Sequence, residues 1–220
     1  MDKGGSLSDF SFVKDTVEVL DALKNLSDWL SGNGTAYKTS TYYTQIKSYF
    51  PVEADARSFA LRLIIHYVGD IHQPLHAVAE VDSTYPSGDK GGNAESIPSK
   101  SGANNLHAVW DSVAYEYAGT PVLPLSNTDW SWYTTTEQTL ASQYKVDKTK
   151  LHDYDFAYWA QESYDLAVST VYPGVVPGQA LSDAYVTKAR EALHSSIMYG
   201  GNRLSDLIKT IYAPKATGFL

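Results

Sequence analysis

The sequence predicts an all-α protein, and three observations carry that reading. Apolar residues recur at intervals of three and four along most of the chain, as they do on one face of a helix. Ser, Asp or Asn stands before several of these stretches, and Gly or Pro follows them. No segment alternates apolar and polar residues convincingly enough for a strand, and no repeat or low-complexity tract is present. The 220 residues are ample for one helical core and marginal for two, so one domain over 1–220 is expected.

The elements follow in order. Ser8 or Asp9 can cap a first helix through Phe12, Thr16, Val19, Leu20, Leu23 and Leu30, and Gly32-Asn33-Gly34 stops it. A short second helix is read from Tyr37 to Phe50. A third runs from Pro51 to about Ile71, with Phe59, Ala60, Leu63 and Tyr67 at core-facing spacing. Pro74 cannot continue a helix ladder, so the chain bends near His72. Residues 77–102 read as irregular, punctuated by Pro86, Gly88, Gly91 and Gly92. Asn104-Asn105 can cap a helix from Leu106 to about Tyr117. Further helices are expected from Asp129 to Tyr144, and from a cap at Asp153 through Trp159 and Leu166 to before Pro173. Ser182 can cap the last helix, which Gly200-Gly201 is expected to kink or divide.

Bulk composition excludes several function classes. A net charge of −8 and a pI near 5.1 do not suit a protein that tracks a nucleic-acid backbone by charge alone. Any chemistry on nucleic acid must be local here, with metal ions supplying the positive charge. The absence of cysteine excludes disulfides and thiolate metal sites. No apolar run approaches the roughly 20 residues that span a bilayer. Met1 to Gly5 has no apolar signal-peptide core. Asn25 and Asn33 begin glycosylation acceptor patterns, which matter only in a secreted chain.

The residues that carry chemistry lie at the end of the third helix and just beyond it. His66 and Asp70 are four apart and share a helix face, and so are His107 and Asp111. His76 stands between the two pairs, after the proline bend. An unpartnered polar group on an apolar helix face costs roughly 2–7 kcal/mol. Helix–helix hydrogen bonds or a divalent cation can offset that cost, and the repeated pairing favours the cation. Imidazole and carboxylate ligands without thiolates suit zinc, and manganese or iron less specifically. His72 is off this face and is assigned a structural or supporting role. His152 and His194 are read as surface or packing residues, and Asp89-Lys90 as a solvated turn. Trp110, Trp130, Trp132 and Trp159 are read as core.

Three blocks then point to a family: HYVGDIHQPLH from His66, DKGGN from Asp89 and NLHAVWDS from Asn105. With them the chain resembles the class I zinc-dependent nucleases of fungi, plants and protists, the S-one/P-one type. WAQES from Trp159, Val171-Tyr172 and GNRLSDLI from Gly201 agree, so the resemblance covers most of 12–212. Bacterial zinc phospholipases C share the helical fold and ligand plan, but usually carry Glu where this chain has Asp111.

The resemblance implies a compact multi-helix domain of the zinc phospholipase C and class I nuclease type. It implies a monomer, secreted or in the secretory or lysosomal pathway as the full-length protein, that hydrolyses single-stranded DNA or RNA to 5′-phosphorylated products and can remove 3′-phosphates from nucleotides. Three zinc ions serve that chemistry in the family. By motif, His66 and Asp70 would hold one zinc of a close pair, with Asp70 bridging and so serving catalysis. His76, His107 and Asp111 would hold the third zinc. Gly92 and Asn93 would lie near the nucleotide, although Asn93 suits a turn equally well. The family's first tryptophan and three further ligands before the HYVGD block have no counterpart here. Residue 1 is therefore expected to fall inside the domain, leaving one complete zinc site and half of the pair. Two alternatives stay open: a phospholipase C-like phosphodiesterase, and a degenerate, non-catalytic zinc-binding helical protein.

Overall fold

Local chemistry sets most helix boundaries. The computed structural model describes residues 10–11, 18–117 and 121–213. Its helices are α1 Val19–Ser31, α2 Thr41–Tyr49 and α3 Glu53–Ile71. A 3-10 turn, Pro74–His76, follows, then a hairpin of β1 Ser96–Lys100 and β2 Ala103–Asn105. The remaining helices are α4 Leu106–Asp111, α5 Asn127–Gln143, α6 Phe156–Leu166 and α7 Asp183–Tyr212. One π-helical turn, Ala167–Val171, extends α6.

Side-chain oxygens of Ser40, Asn105, Asp155 and Ser182 accept a backbone N–H three residues on, capping α2, α4, α6 and α7. Ser126 and Asp129 cap each other's backbone at the start of α5. Gly32, at φ +66°, closes α1 in the left-handed region.

The class is all-α as expected, with four local differences. The hairpin lies where only irregular chain was expected. Just Ile97 and Ala103 of it are buried and its register is interrupted, so no alternation was there to read. Helix α4 stops at Asp111, not Tyr117, because Val113, Ala114 and Tyr115 take positive φ. The Arg190 guanidinium donates to the buried Ala114 carbonyl in this turn. Helix α7 runs unbroken through Gly200-Gly201. A Cβ on Gly200 would lie 3.2 Å from the His72 ring, so this glycine permits close packing and not a kink. Finally, α6 is capped by Asp155, not Asp153. Ser8, Asp9, Phe12 and Thr16 of the first expected helix lie outside the described residues.

Two cores share the long helix α7. The first gathers Leu23, Leu26 and Trp29 of α1, Ile64 and Val68 of α3, Trp159 of α6 and Leu207 of α7. The second gathers Leu75, Leu106, Val109 and Trp110 with Val171 and, from α7, Ala189 and Leu193. Each fully buried large side chain contributes about 1.5–3 kcal/mol. The chain passes from the first core to the second at the bend after α3. That bend sets Asp70, His76 and α4 side by side.

A buried polar brace holds the bend. Arg203 donates to the carbonyls of Lys150 and Leu151, to Glu162 and, at 2.8 Å, to Nε2 of His72. Nδ1 of His72 lies 2.7 Å from the Val68 carbonyl, which can only accept, so Nδ1 carries the proton. Burial, with the Arg203 charge adding to it, pushes the His72 pKa down to about 4.

Trp110 and Trp159 are core residues with satisfied N–H groups. Trp130 and Trp132, by contrast, are 59% and 47% exposed, which corrects their reading as core. Helix α5 buries only Leu140 and is polar on every side, so it presents its tryptophans to solvent. No helix among the described residues is long and apolar enough to cross a membrane.

Candidate metal centre

Three ligand-type side chains meet at the seam between the cores. His76 comes from the 3-10 turn, and His107 and Asp111 from one face of α4. Nε2 of His76 is 3.3 Å from Nε2 of His107. Nε2 of His107 is 3.4 Å from Oδ2 of Asp111. The donor atoms of all three lie within 4.8 Å of one another. The first expected pair stands next to this cluster. Asp70 Oδ2 is 3.1 Å from His66 Nε2, and Asp70 Oδ1 is 3.7 Å from His76 Nδ1. Asp70 thus lies between His66 and the cluster. His66 is 65% exposed, on the outer side of α3.

Backbone and side-chain contacts fix the cluster's orientation. Nδ1 of His107 is 2.7 Å from the Gly91 carbonyl, which only accepts. The proton is therefore on Nδ1, and the Nε2 lone pair faces His76 and Asp111. The Nε2 amide of Gln73 donates to Asp111 Oδ1 at 2.9 Å. Burial lowers the pKa of His76, with Asp70 acting against that shift and His107 adding to it. Two imidazole nitrogens and a carboxylate oxygen face one another and can hold a cation; without one, a proton on His76 Nε2 can be donated to the His107 Nε2 lone pair.

The donor set fits zinc. Zn–N distances of about 2.0–2.1 Å imply tetrahedral edges of roughly 3.3 Å, close to the two measured donor separations. The Nδ1–H to Gly91 carbonyl bond of His107 is of the kind that orients histidines in metal sites generally.

The glycine loop supports this cluster from behind. Asp89 is fully buried, which corrects its reading as part of a solvated turn. Its carboxylate accepts from the backbone N–H groups of Glu80, Gly91 and Gly92 and from the Tyr172 hydroxyl. Burial and the Asp89 carboxylate push the Tyr172 pKa upward. Asp89 therefore shapes the loop whose Gly91 carbonyl orients His107. An aspartate directly before Lys-Gly-Gly was a legible turn signal, but its burial was not. Asp89 also stands with Glu80 and Glu95 in a buried carboxylate group that the sequence reading did not foresee.

Gly91 needs its positive φ of +61°, and any Cβ there would overlap the Leu75 carbonyl. Gly92 packs against Leu75 and Leu106, and the Asn93 amide donates to the Lys90 carbonyl, closing a turn. Neither Gly92 nor Asn93 lines the cleft. A cleft of about 720 Å³ opens beside the cluster, walled by Tyr42, Tyr67, Asp70, His76, Lys90 and His107. A second hollow of about 330 Å³ reaches Asp70, His76 and Asp111 from the α7 side.

Comparison with known proteins gives a family. The S1/P1 Nuclease family profile matches residues 4–213. Arabidopsis thaliana Endonuclease 2 is 27% identical in an alignment 192 positions long that covers 78% of this chain and 59% of the relative. Endonuclease 4 of the same plant is 29% identical, over 71% of this chain and 51% of its own length. Nuclease P1 of Penicillium citrinum is 26% identical, over 82% of this chain and 67% of its own length. The chain thus spans about half to two thirds of the length of these curated relatives.

Proposed function

The chain belongs to the S1/P1 nuclease family, and from that we propose that it is a zinc-dependent phosphodiesterase acting on single-stranded DNA or RNA. The products carry 5′-phosphates, and 3′-phosphates of nucleotides are further substrates. His76, His107 and Asp111 would hold one zinc ion, and His66 and Asp70 would contribute to a neighbouring zinc site. The observation that carries this reading is the convergence of three inward-facing donors at 3.3 and 3.4 Å, beside a cleft of nucleotide size.

When bound, zinc supplies Lewis acidity toward the phosphodiester and its attacking water. The chain's own residues position the parts. Gly91 fixes the His107 ring through its carbonyl. Asp70, between His66 and His76, would offer its carboxylate to a cation beside the cluster. Lys90 on the cleft wall offers an ammonium to a phosphate, and the Tyr42 and Tyr67 rings offer apolar walls to a base. The whole protein works as a secreted monomer.

Hydrolysis of single-stranded DNA and RNA with added zinc tests the proposal. A chelator and His107→Ala should each lower the rate at least 100-fold, at the scale of lost metal chemistry. Activity untouched by both would refute it. A second reading, a one-zinc binder without hydrolysis, draws on one observation. Among the described residues only His76, His107 and Asp111 bring three donors together around an imidazole site. A bound zinc without turnover on oligonucleotides or lecithin analogues would favour that reading.

A further inference from the structure

We propose that Gln73 is a positioning residue that makes Asp111 a one-oxygen ligand and so biases the His76–His107–Asp111 centre toward zinc over larger, oxygen-seeking cations. This rests on the metal-centre reading above and goes beyond it.

The geometry leaves Gln73 little choice. Its Oε1 accepts the Leu75 backbone N–H, so the amide cannot be flipped without setting two donors against each other. Its NH2 group must then point the other way, where it meets Asp111 Oδ1 at 2.9 Å. Asp111 is 38 residues further along the chain, at the end of α4. Leu75 lies in the 3-10 turn that carries His76. One side chain therefore ties the turn bearing one ligand to the carboxylate of another.

The consequence is chemical. With Oδ1 engaged by the amide, Oδ2 alone faces His107 and the cation. A carboxylate that offers one oxygen suits zinc, which takes four ligands. Manganese and calcium take more oxygens and accept a carboxylate through both. Removing the Gln73 donor frees Oδ1 to chelate. Zinc affinity then falls with the loss of orientation, while the penalty on larger cations relaxes. Outer contacts of this kind typically contribute 10–100-fold in metal affinity.

The test uses the full 220-residue chain, stripped of metal and titrated with Zn2+, Mn2+ and Co2+. Wild type should give the intense visible cobalt band of a four-coordinate ion, and His107→Ala should abolish it. Gln73→Met keeps the side-chain length without the amide. It should weaken the cobalt band and lower the Zn2+ to Mn2+ affinity ratio about 10-fold or more, with helix content unchanged by circular dichroism. Gln73→Glu retains the acceptor for Leu75 and replaces Gln73→Met if that variant does not fold; the same fall in the ratio is expected. A wild type without any His107-dependent band overturns the metal centre and this inference together. A wild-type band that persists unaltered in a folded Gln73 variant, with the same affinity ratio, overturns this inference alone.

Discussion

The two His-x-x-x-Asp pairs have the same spacing and different surroundings. His107 and Asp111 sit on a six-residue helix, yet each is tied down: His107 by the Gly91 carbonyl, Asp111 by the Gln73 amide, with His76 facing both. His66 and Asp70 sit on a helix of nineteen residues, but His66 points largely into solvent. Spacing alone sets two side chains on one face; it does not orient them. Orientation comes from the glycine loop and the Gln73 amide, which only the second pair meets. A ligand set is prepared for a cation where its outer hydrogen bonds are already made.

The largest expected effect separates the two pairs directly. His107→Ala should weaken zinc binding at least about 100-fold, beyond the usual loss from an outer contact, while His66→Ala should change binding at the three-donor centre less than about 10-fold. Competition with a chromophoric chelator measures both. Equal losses would erase the contrast.

The next effects concern what holds each pair's frame. Arg203 is buried and supports the end of α3 through His72. Arg203→Met leaves Glu162 and two carbonyls without their donor, and should cost about 3–5 kcal/mol in denaturant unfolding. The same brace predicts a pH dependence. His72 in the fold titrates near 4, below its unfolded value near 6.5. The unfolded chain takes up the proton first, so the stabilisation is complete above pH 6.5 and is lost as pH falls toward 4. At about 1.4 kcal/mol per unit the loss is roughly 3 kcal/mol, and His72→Phe should flatten that slope.

On the other side, Gly91→Ala forces a left-handed alanine against the Leu75 carbonyl and should cost about 2–3 kcal/mol. It should also weaken zinc binding, because the displaced carbonyl no longer holds His107. A stability loss without an affinity loss would separate the loop from the centre. The smallest effect is reserved for Trp130→Ala on exposed α5, within about 0.5 kcal/mol.

How much of this was legible differs by residue. Helix identity came through because caps such as Asn105 and Ser182 and stripes such as Leu20, Leu23 and Leu30 are local signals. The i,i+4 spacing that puts each His beside its Asp is local in the same way. What failed depends on distant partners. The early stop of α4 follows its positive-φ turn, whose Ala114 carbonyl accepts from Arg190, 76 residues away. Gly200 looked like a hinge and is a contact for His72. Asp89 looked like a loop surface and is buried by Tyr172, 83 residues on. Gln73 carries no pattern of its own, because its meaning depends on Asp111 arriving from another helix. Trp130 and Trp132 failed for the opposite reason: residue type suggested burial, and a helix polar all round overrode it.

Zinc-edge anomalous diffraction from crystals of the metal-soaked chain tests the central assignment most directly. The account predicts a peak about 2.0–2.2 Å from His76 Nε2, His107 Nε2 and one oxygen of Asp111. Well-ordered side chains with no peak between them, or a zinc bound elsewhere while these three point apart, would contradict it.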